Sequence, residues 1–439
     1  MLKALAFLVV TLSIAWNFAS NTSVSHAQEV KGTSLKFDFG LGRVAPGYRE
    51  VLPGTIYSRE RGYGFEPGAQ IACLDRGGKD ALRSDFCTSE KPFYFSVALP
   101  EGNYIVTVTL GDPAAESNTT IKAELRRLMV EQVLTAPGKL VTRTFAVNIR
   151  TPKIAGDGEV KLKDREKTTE LWAWDEKLTL EFNNSRPAVC ALEIARADQI
   201  PTIYLLGDST VCDQPREPYN SWGQMLTRFF NSGVAIANNA ESGESLRSSL
   251  GALRLAKVLS TIKPGDYLFI QFGHNDEKEK GEGVGAFTTY KESLRKFVTE
   301  ARQHGGIPVL ITPMHRRTFD KDGKITNSHG DYPEAVRQVA REENAPLIDL
   351  NAMSKVFYEA LGPEKSGLAF KTGDATHHSN YGSYELAKCI VDGIKTSKLG
   401  IAKYLVKDVP TFNPSHPDPF EGFNIPPSPL STDVKPLGN

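Results

Sequence analysis

The sequence predicts two domains of different class: an all-β sandwich over residues 33–197, then an α/β domain with a parallel sheet over residues 200–409. Three observations carry this. Strand-forming runs bounded by turn residues recur from about Thr33 to Arg196, with weak helix signals. From about Ile200, apolar strand-like runs alternate with longer segments of helical period. A chain of 439 residues suits two domains at roughly 100–200 residues each.

In the first segment, Phe37 and Phe39 alternate with Lys36 and Asp38. Phe93–Val97 is a run of strand formers, the turn Pro100–Asn103 follows, and Tyr104–Leu110 resumes as strand, which reads as a hairpin. Leu140–Asn148, Lys177–Phe182 and Val189–Ile194 complete a set spaced as in an antiparallel sandwich. In the second segment the strands are Ile203–Leu206, Val234–Ala237, Asp266–Phe272, Pro308–Ile311 and Pro346–Leu350. Helical stretches run over Trp222–Phe230, Lys291–His304, Tyr332–Glu343 and Tyr381–Thr396. Such alternation implies helices on both faces of a parallel sheet, with the site beyond the carboxyl ends of the strands.

The two ends have other textures. Residues 1–27 carry one charge, Lys3, then an apolar run and Ser25-His26-Ala27, the order of a cleaved secretory signal. The run is short for a bilayer span, so the mature protein is expected to be secreted or periplasmic and free of the membrane. Residues 410–439 form a Pro-rich tail, expected to lie extended over the surface with Phe420 and Phe423 as its anchors. Its alternative is a short binding peptide.

Composition excludes some classes. Lys+Arg and Asp+Glu both number 52, so the formal net charge is zero and no cationic excess suggests a nucleic-acid partner. The five cysteines are scattered, which is no disulfide framework; Cys73 and Cys87 are near enough to bridge or to stay apart. No clustered Cys/His spacing is present, so no structural zinc is expected. Gly281–Gly285 lacks the strand-to-helix context of a nucleotide loop, and Asp320–Gly323 lacks the later Glu of a calcium loop.

The residues after the predicted strands hold the chemistry. Gly207-Asp208-Ser209-Thr210, Asn238–Gly243, Gly273-His274-Asn275-Asp276 and Asp374-Ala375-Thr376-His377 supply a hydroxyl, a glycine amide, a side-chain amide, and a carboxylate three residues before an imidazole. A serine hydroxyl needs a base, which His377 can be, and a carboxylate such as Asp374 holds the imidazole's tautomer. The amides of Ser209 and Gly243 and the side chain of Asn275 can receive the oxyanion. His378 is the alternative base; His274 reads as a packed neighbour.

These blocks resemble the SGNH (GDSL-type) esterase family, and within it the rhamnogalacturonan acetylesterases, which remove acetyl groups from pectin. Thr210, Ser221-Trp222-Gly223-Gln224 and Gly330–Ala335 favour that branch over lipase-like ones. The resemblance covers about residues 200–405. It implies a flavodoxin-like three-layer fold and a triad of Ser209, Asp374 and His377. It also implies an oxyanion hole of Ser209, Gly243 and Asn275, with no metal or cofactor. The N-terminal segment resembles galactose-binding-like sandwiches by texture, either binding carbohydrate or shielding a flank. Trp172 and Trp174 are its stacking candidates unless they are core. For the galacturonate carboxylates of pectin, His315, Arg316 and Arg317 are the candidate readers, the alternative being a surface pair bonded to the Asp320/Asp322 loop. Asp213, Asn220 and His329 are further cleft candidates. The expected partner is an acetylated plant polysaccharide. Rival functions are an acetyl xylan esterase, a lipase or thioesterase on the same fold, and a non-catalytic carbohydrate-binding protein.

Overall fold

Apolar side chains on alternate positions drive the first domain into two facing sheets. The computed structural model describes residues 34–409 and 411–437; the expected leader, residues 1–27, lies outside them. One sheet runs Val141–Ile149, Gly102–Leu110, Ala188–Arg196, Leu35–Phe39, Arg49–Val51, with Asp85–Thr88 and Ala72–Asp75 attached at the Ala188 end. The other runs Tyr63–Phe65, Phe93–Ala98, Lys177–Arg186, Ser117–Ala123, Arg127–Thr135. Phe37 and Phe39 of the first meet Phe95 of the second at 5.5 and 4.9 Å between ring centroids, inside one core that also holds Val106, Val108, Leu180 and Phe182. Burying such rings is the main stabilising term of a sandwich.

Two expectations are corrected. Phe93–Ala98 and Gly102–Leu110 are not a hairpin: the first pairs with Tyr63–Phe65 and Lys177–Arg186, the second with Val141–Ile149 and Ala188–Arg196. The turn between them carries the chain from one sheet to the other, so their apolar faces meet across the core. One pair, Leu35–Phe39 with Arg49–Val51, is parallel. Cys73 and Cys87, opposite each other on neighbouring strands, form a disulfide.

The second domain has five parallel strands in the order Ala235–Asn238, Thr202–Gly207, Tyr267–Gln271, Ile307–Ile311, Leu347–Ile348. Both faces are covered, which is why these runs are apolar throughout. Ile203, Leu205, Phe269 and Val309 pack under the helices Trp222–Leu226, Leu350–Lys365 and Asn380–Thr396. Tyr204, Leu206, Leu268 and Ile270 pack under Lys291–Gln303 and Tyr332–Glu342 on the other side. This is the flavodoxin-like three-layer arrangement that was expected. The last strand is shorter than expected because the Asp349 carboxylate accepts from Ala352 N and starts the next helix. No helix among the described residues is long and apolar enough to cross a membrane.

Buried ion pairs join the two domains. Arg127 meets Asp213 at 2.8 Å, Arg126 meets Glu217 at 2.5 Å, and Arg254 meets Glu166 at 2.6 Å. Lys163 meets Glu244 at 2.8 Å, and Arg165 pairs with Glu241. The tail crosses the helix Asn380–Thr396, where Phe420 and Phe423 lie against Tyr381 at 5.4 and 5.7 Å. It ends at the domain seam. There the Ser428 hydroxyl meets Lys122 Nζ and the Glu181 carboxylate of the sandwich, and its amide donates to Glu217.

Candidate active site

Ser209 follows the strand Thr202–Gly207 by one residue, on a turn fixed by Asp208. The Asp208 carboxylate accepts from Thr210 N at 2.9 Å and Thr210 Oγ1 at 2.7 Å. The chain continues outward: Gln271 Nε2 donates to Thr210 Oγ1 at 2.8 Å, and Trp222 Nε1 to Gln271 Oε1 at 2.7 Å. Thr210 and Trp222, singled out in the sequence, thus belong to one buried hydrogen-bond chain under the serine. Gly223 is required by close approach, since a Cβ there would lie 2.1 Å from Val211 O. Burial raises the Asp208 pKa, but His274 and the Thr210 bonds outweigh it and hold the carboxyl below its ordinary value.

His377 reaches Ser209 from the loop before the helix Asn380–Thr396. Its Nε2 is 2.9 Å from Ser209 Oγ, and its Nδ1 is 2.9 Å from Asp374 Oδ2. The other Asp374 oxygen accepts from the amides of Thr376 and His377 at 2.8 and 3.1 Å. Burial works against the Asp374 charge, yet the His377 bond and charge and these two amides pull its pKa well below the carboxylate range. A carboxylate bound this way stays ionised and fixes the imidazole tautomer. His378 points elsewhere: its Nε2 is hydrogen-bonded with Tyr358 OH at 2.7 Å, and burial lowers its pKa to about 3.

The loop after Ala235–Asn238 is tied back to the serine turn by Glu241 N donating to Gly207 O at 3.1 Å. Gly243 in this loop has φ +79°, a conformation that favours glycine. Asn275 is buried and gives one amide hydrogen to Glu244 O at 3.0 Å. A primary amide has two, so one is left over from that bond.

The acidic-sugar candidates sit differently. Arg316 pairs with Glu277 at 2.6 Å and bonds Thr376 Oγ1 and Ser328 O. Arg317 donates to Ser366 Oγ and Pro363 O. Neither is bonded to the Asp320/Asp322 loop. His315 is buried, and that burial lowers its pKa to about 4. Of the further cleft candidates, Asp213 is held by Arg127 and Asn238, Asn220 by Asn380, and His329 by Glu277 and Met314 O. Trp174 is buried under Arg150 at 4.5 Å, whereas Trp172 is partly exposed.

Residues from the sandwich side brace the site, and none of them was expected from the sequence. Lys163 donates to Ser242 O at 2.6 Å, and Arg126 donates to Gln214 O and Tyr219 O at 3.0 and 2.8 Å. Gln214 in turn donates to Ser209 O, and the Tyr219 ring stands edge-on to His377 at 5.8 Å. Lys163 lies in a charge-rich run, Lys161–Lys167, and Arg126 beside Arg127 at a strand end, and charges so placed look like solvated groups. Glu166, Glu170 and Glu241 also gather here, with Arg165 and Arg254 set against them. Burial, with the neighbouring Glu241 charge, pushes Glu170 up to about 9.

Residues 205–383 match the GDSL-like lipase/acylhydrolase family, and residues 35–155 match the galactose-binding-like domain of β-agarases and YXIM-type esterases. The chain is 32% identical over 384 residues to the uncharacterized esterase YxiM of Bacillus subtilis, 84% of this chain and 92% of that protein. It belongs to the GDSL-like lipase/acylhydrolase family. This GDSL esterase is also 39% identical to the rhamnogalacturonan acetylesterase RhgT of B. subtilis, over 46% of this chain and 94% of RhgT. To YesY, a probable rhamnogalacturonan acetylesterase of the same organism, it is 37% identical over 47% of this chain and 98% of YesY. It is a carboxylic ester hydrolase of the serine type, with a galactose-binding-like domain ahead of the hydrolase domain.

Proposed function

We propose that this esterase removes O-acetyl groups from rhamnogalacturonan, with Ser209 as nucleophile, His377 as base and Asp374 as its orienting carboxylate. The observation that carries the reading is the hydrogen-bond chain from Ser209 Oγ through His377 to Asp374, 2.9 Å at each link. The likeness to RhgT and YesY supports the substrate class.

In this mechanism His377 Nε2 takes the Ser209 proton as Oγ attacks the acetyl carbon. The carbonyl oxygen becomes an oxyanion facing the amides of Ser209 and Gly243 and the free Asn275 amide hydrogen. Each such donor is worth about 3–4 kcal/mol. His377 then gives the proton to the departing sugar hydroxyl, leaving an acetyl-serine. Water, deprotonated by the same imidazole, releases acetate and restores Ser209. Asp374 stays ionised and stabilises the imidazolium at each stage. The Pro-rich tail and the sandwich frame the domain, and residues 1–27 direct export towards an extracellular polymer.

The test is acetate release from acetylated rhamnogalacturonan, acetylated xylan, and acetyl and octanoyl model esters. The reading expects rhamnogalacturonan to be preferred and Ser209→Ala to abolish release. Preference for octanoyl esters or for xylan would overturn the substrate assignment, and an active Ser209→Ala enzyme would overturn the mechanism.

A further inference from the structure

A pocket of about 250 Å³ opens at the seam between the sandwich, the loop that follows Ser209, and the tail. Trp172, partly exposed, stands in it 5.1 Å from the ring of Tyr94. Thr168 and Thr169, both exposed, supply hydroxyls. Two guanidinium groups complete the wall. Arg126 is buried, and its Nε has no hydrogen-bond partner. Arg216 is half-buried, and no hydrogen bond or ion pair to it occurs among the described residues. Arg126 is neutralised by Glu217, and Glu124, also in the lining, is raised by burial to about 8 and so holds its proton near neutral pH, which leaves Arg216 as the pocket's net positive charge.

We propose that this pocket is a subsite for an acidic sugar, a uronate residue of the same polysaccharide chain whose acetyl group is removed; the proposal rests on the carbohydrate-esterase reading above. A sugar ring offers an apolar C–H face to an aromatic ring, which Trp172 and Tyr94 present. A uronate carboxylate matches a planar guanidinium through two parallel hydrogen bonds, which the unengaged Arg216 can give. The pocket also lies close to the chemistry: Arg126, in its wall, bonds Tyr219 O, and the Tyr219 ring packs against His377. A polymer with its ester at Ser209 would lay a neighbouring residue here. The site is built jointly by the two domains, which gives the sandwich a part in recognition. A second groove, with Arg317 and Lys371 set against Glu364, lies on the Asp374 side. Arg317 is bonded there to Ser366 and Pro363, and the groove offers no exposed aromatic ring.

The test measures binding of the full-length protein to de-acetylated rhamnogalacturonan oligosaccharide and to neutral xylo-oligosaccharide by calorimetry, so that it does not depend on ester cleavage. The wild type is expected to prefer the acidic probe. Arg216→Ala, at a side chain with no internal bond to lose, is expected to weaken that binding about tenfold, and Trp172→Phe to weaken it less. Lys371→Ala is expected to keep wild-type affinity. Equal affinity of wild type and Arg216→Ala for the acidic probe overturns the proposal, as does a loss that appears in Lys371→Ala instead. Failure of the acetylesterase reading is scored separately, by acetate release.

Discussion

Replacing Lys163 by Met tests whether the sandwich holds the catalytic loop. The Lys163 ammonium donates to Ser242 O at 2.6 Å and pairs with Glu244 at 2.8 Å, one residue on either side of Gly243. Without it, the buried Glu244 carboxylate keeps, among the described residues, Ser248 and the Arg254 Nε at 3.7 Å. Breaking a fully buried pair costs about 3–5 kcal/mol. The Lys163 side chain is 29% exposed, so water replaces part of the loss, and about 1–2 kcal/mol is expected. That lowers Tm by a few degrees. The Gly243 amide is displaced rather than removed. Deleting a whole oxyanion donor costs about 10²–10³ in kcat, so a fall of roughly tenfold is expected here. The assay is kcat and KM on p-nitrophenyl acetate, well below Tm, with thermal melts alongside. Lys163→Arg should restore most of kcat. A folded Lys163→Met enzyme with wild-type kcat would refute the reasoning, because the loop would then hold its shape without the sandwich.

Three further outcomes follow from the same contacts. Asp374→Asn should lower kcat by about 10³–10⁴ in steady-state assays, because the imidazole loses its tautomer control while the fold is kept. Cys73→Ala with Cys87→Ala should lower stability by about 3 kcal/mol in denaturant melts, the entropy of a loop whose ends are 14 residues apart. The third concerns pH. Burial raises Glu170 to about 9 and Glu124 to about 8 in the folded state, so each binds a proton that the unfolded chain releases above about 4.5. Their contribution is full below that value and is lost as pH rises to 8–9. Tm should fall across this window, and Glu170→Gln should flatten the slope.

Much of this was legible locally. The runs at Ile203–Leu206 and Asp266–Phe272 announced buried parallel strands because both of their faces are covered. A parallel sheet gathers the loops after its strands at one end, so Ser209, Gly243 and Asn275 could be expected near one another from their positions and residue types. The turn at Pro100–Asn103 was legible as a reversal, but turn chemistry says nothing about which strand the next one bonds. The charges of the seam were illegible for a related reason. Arg126, Lys163 and Arg165 look like solvated residues until their partners, Glu217, Glu244 and Glu241, are folded against them. His315, Arg316 and Arg317 show the converse: residues chosen for free charge, with the two guanidinium groups bonded to internal partners and the imidazole buried.

The seam also sets an order in time. Lys122 and Ser428 are 306 residues apart in the chain. At about 5–20 residues per second, a ribosome adds the later residue some tens of seconds after the earlier one. The tail that covers the Lys122 side of the sandwich's outer face is therefore the last part of the seam to be made. Because that face carries Lys122, Arg126, Glu181 and Lys163 beside Leu128, the waiting domain shows water charged groups as well as an apolar one. The buried charges of the finished enzyme thus serve as the solubilising coat of its half-made form.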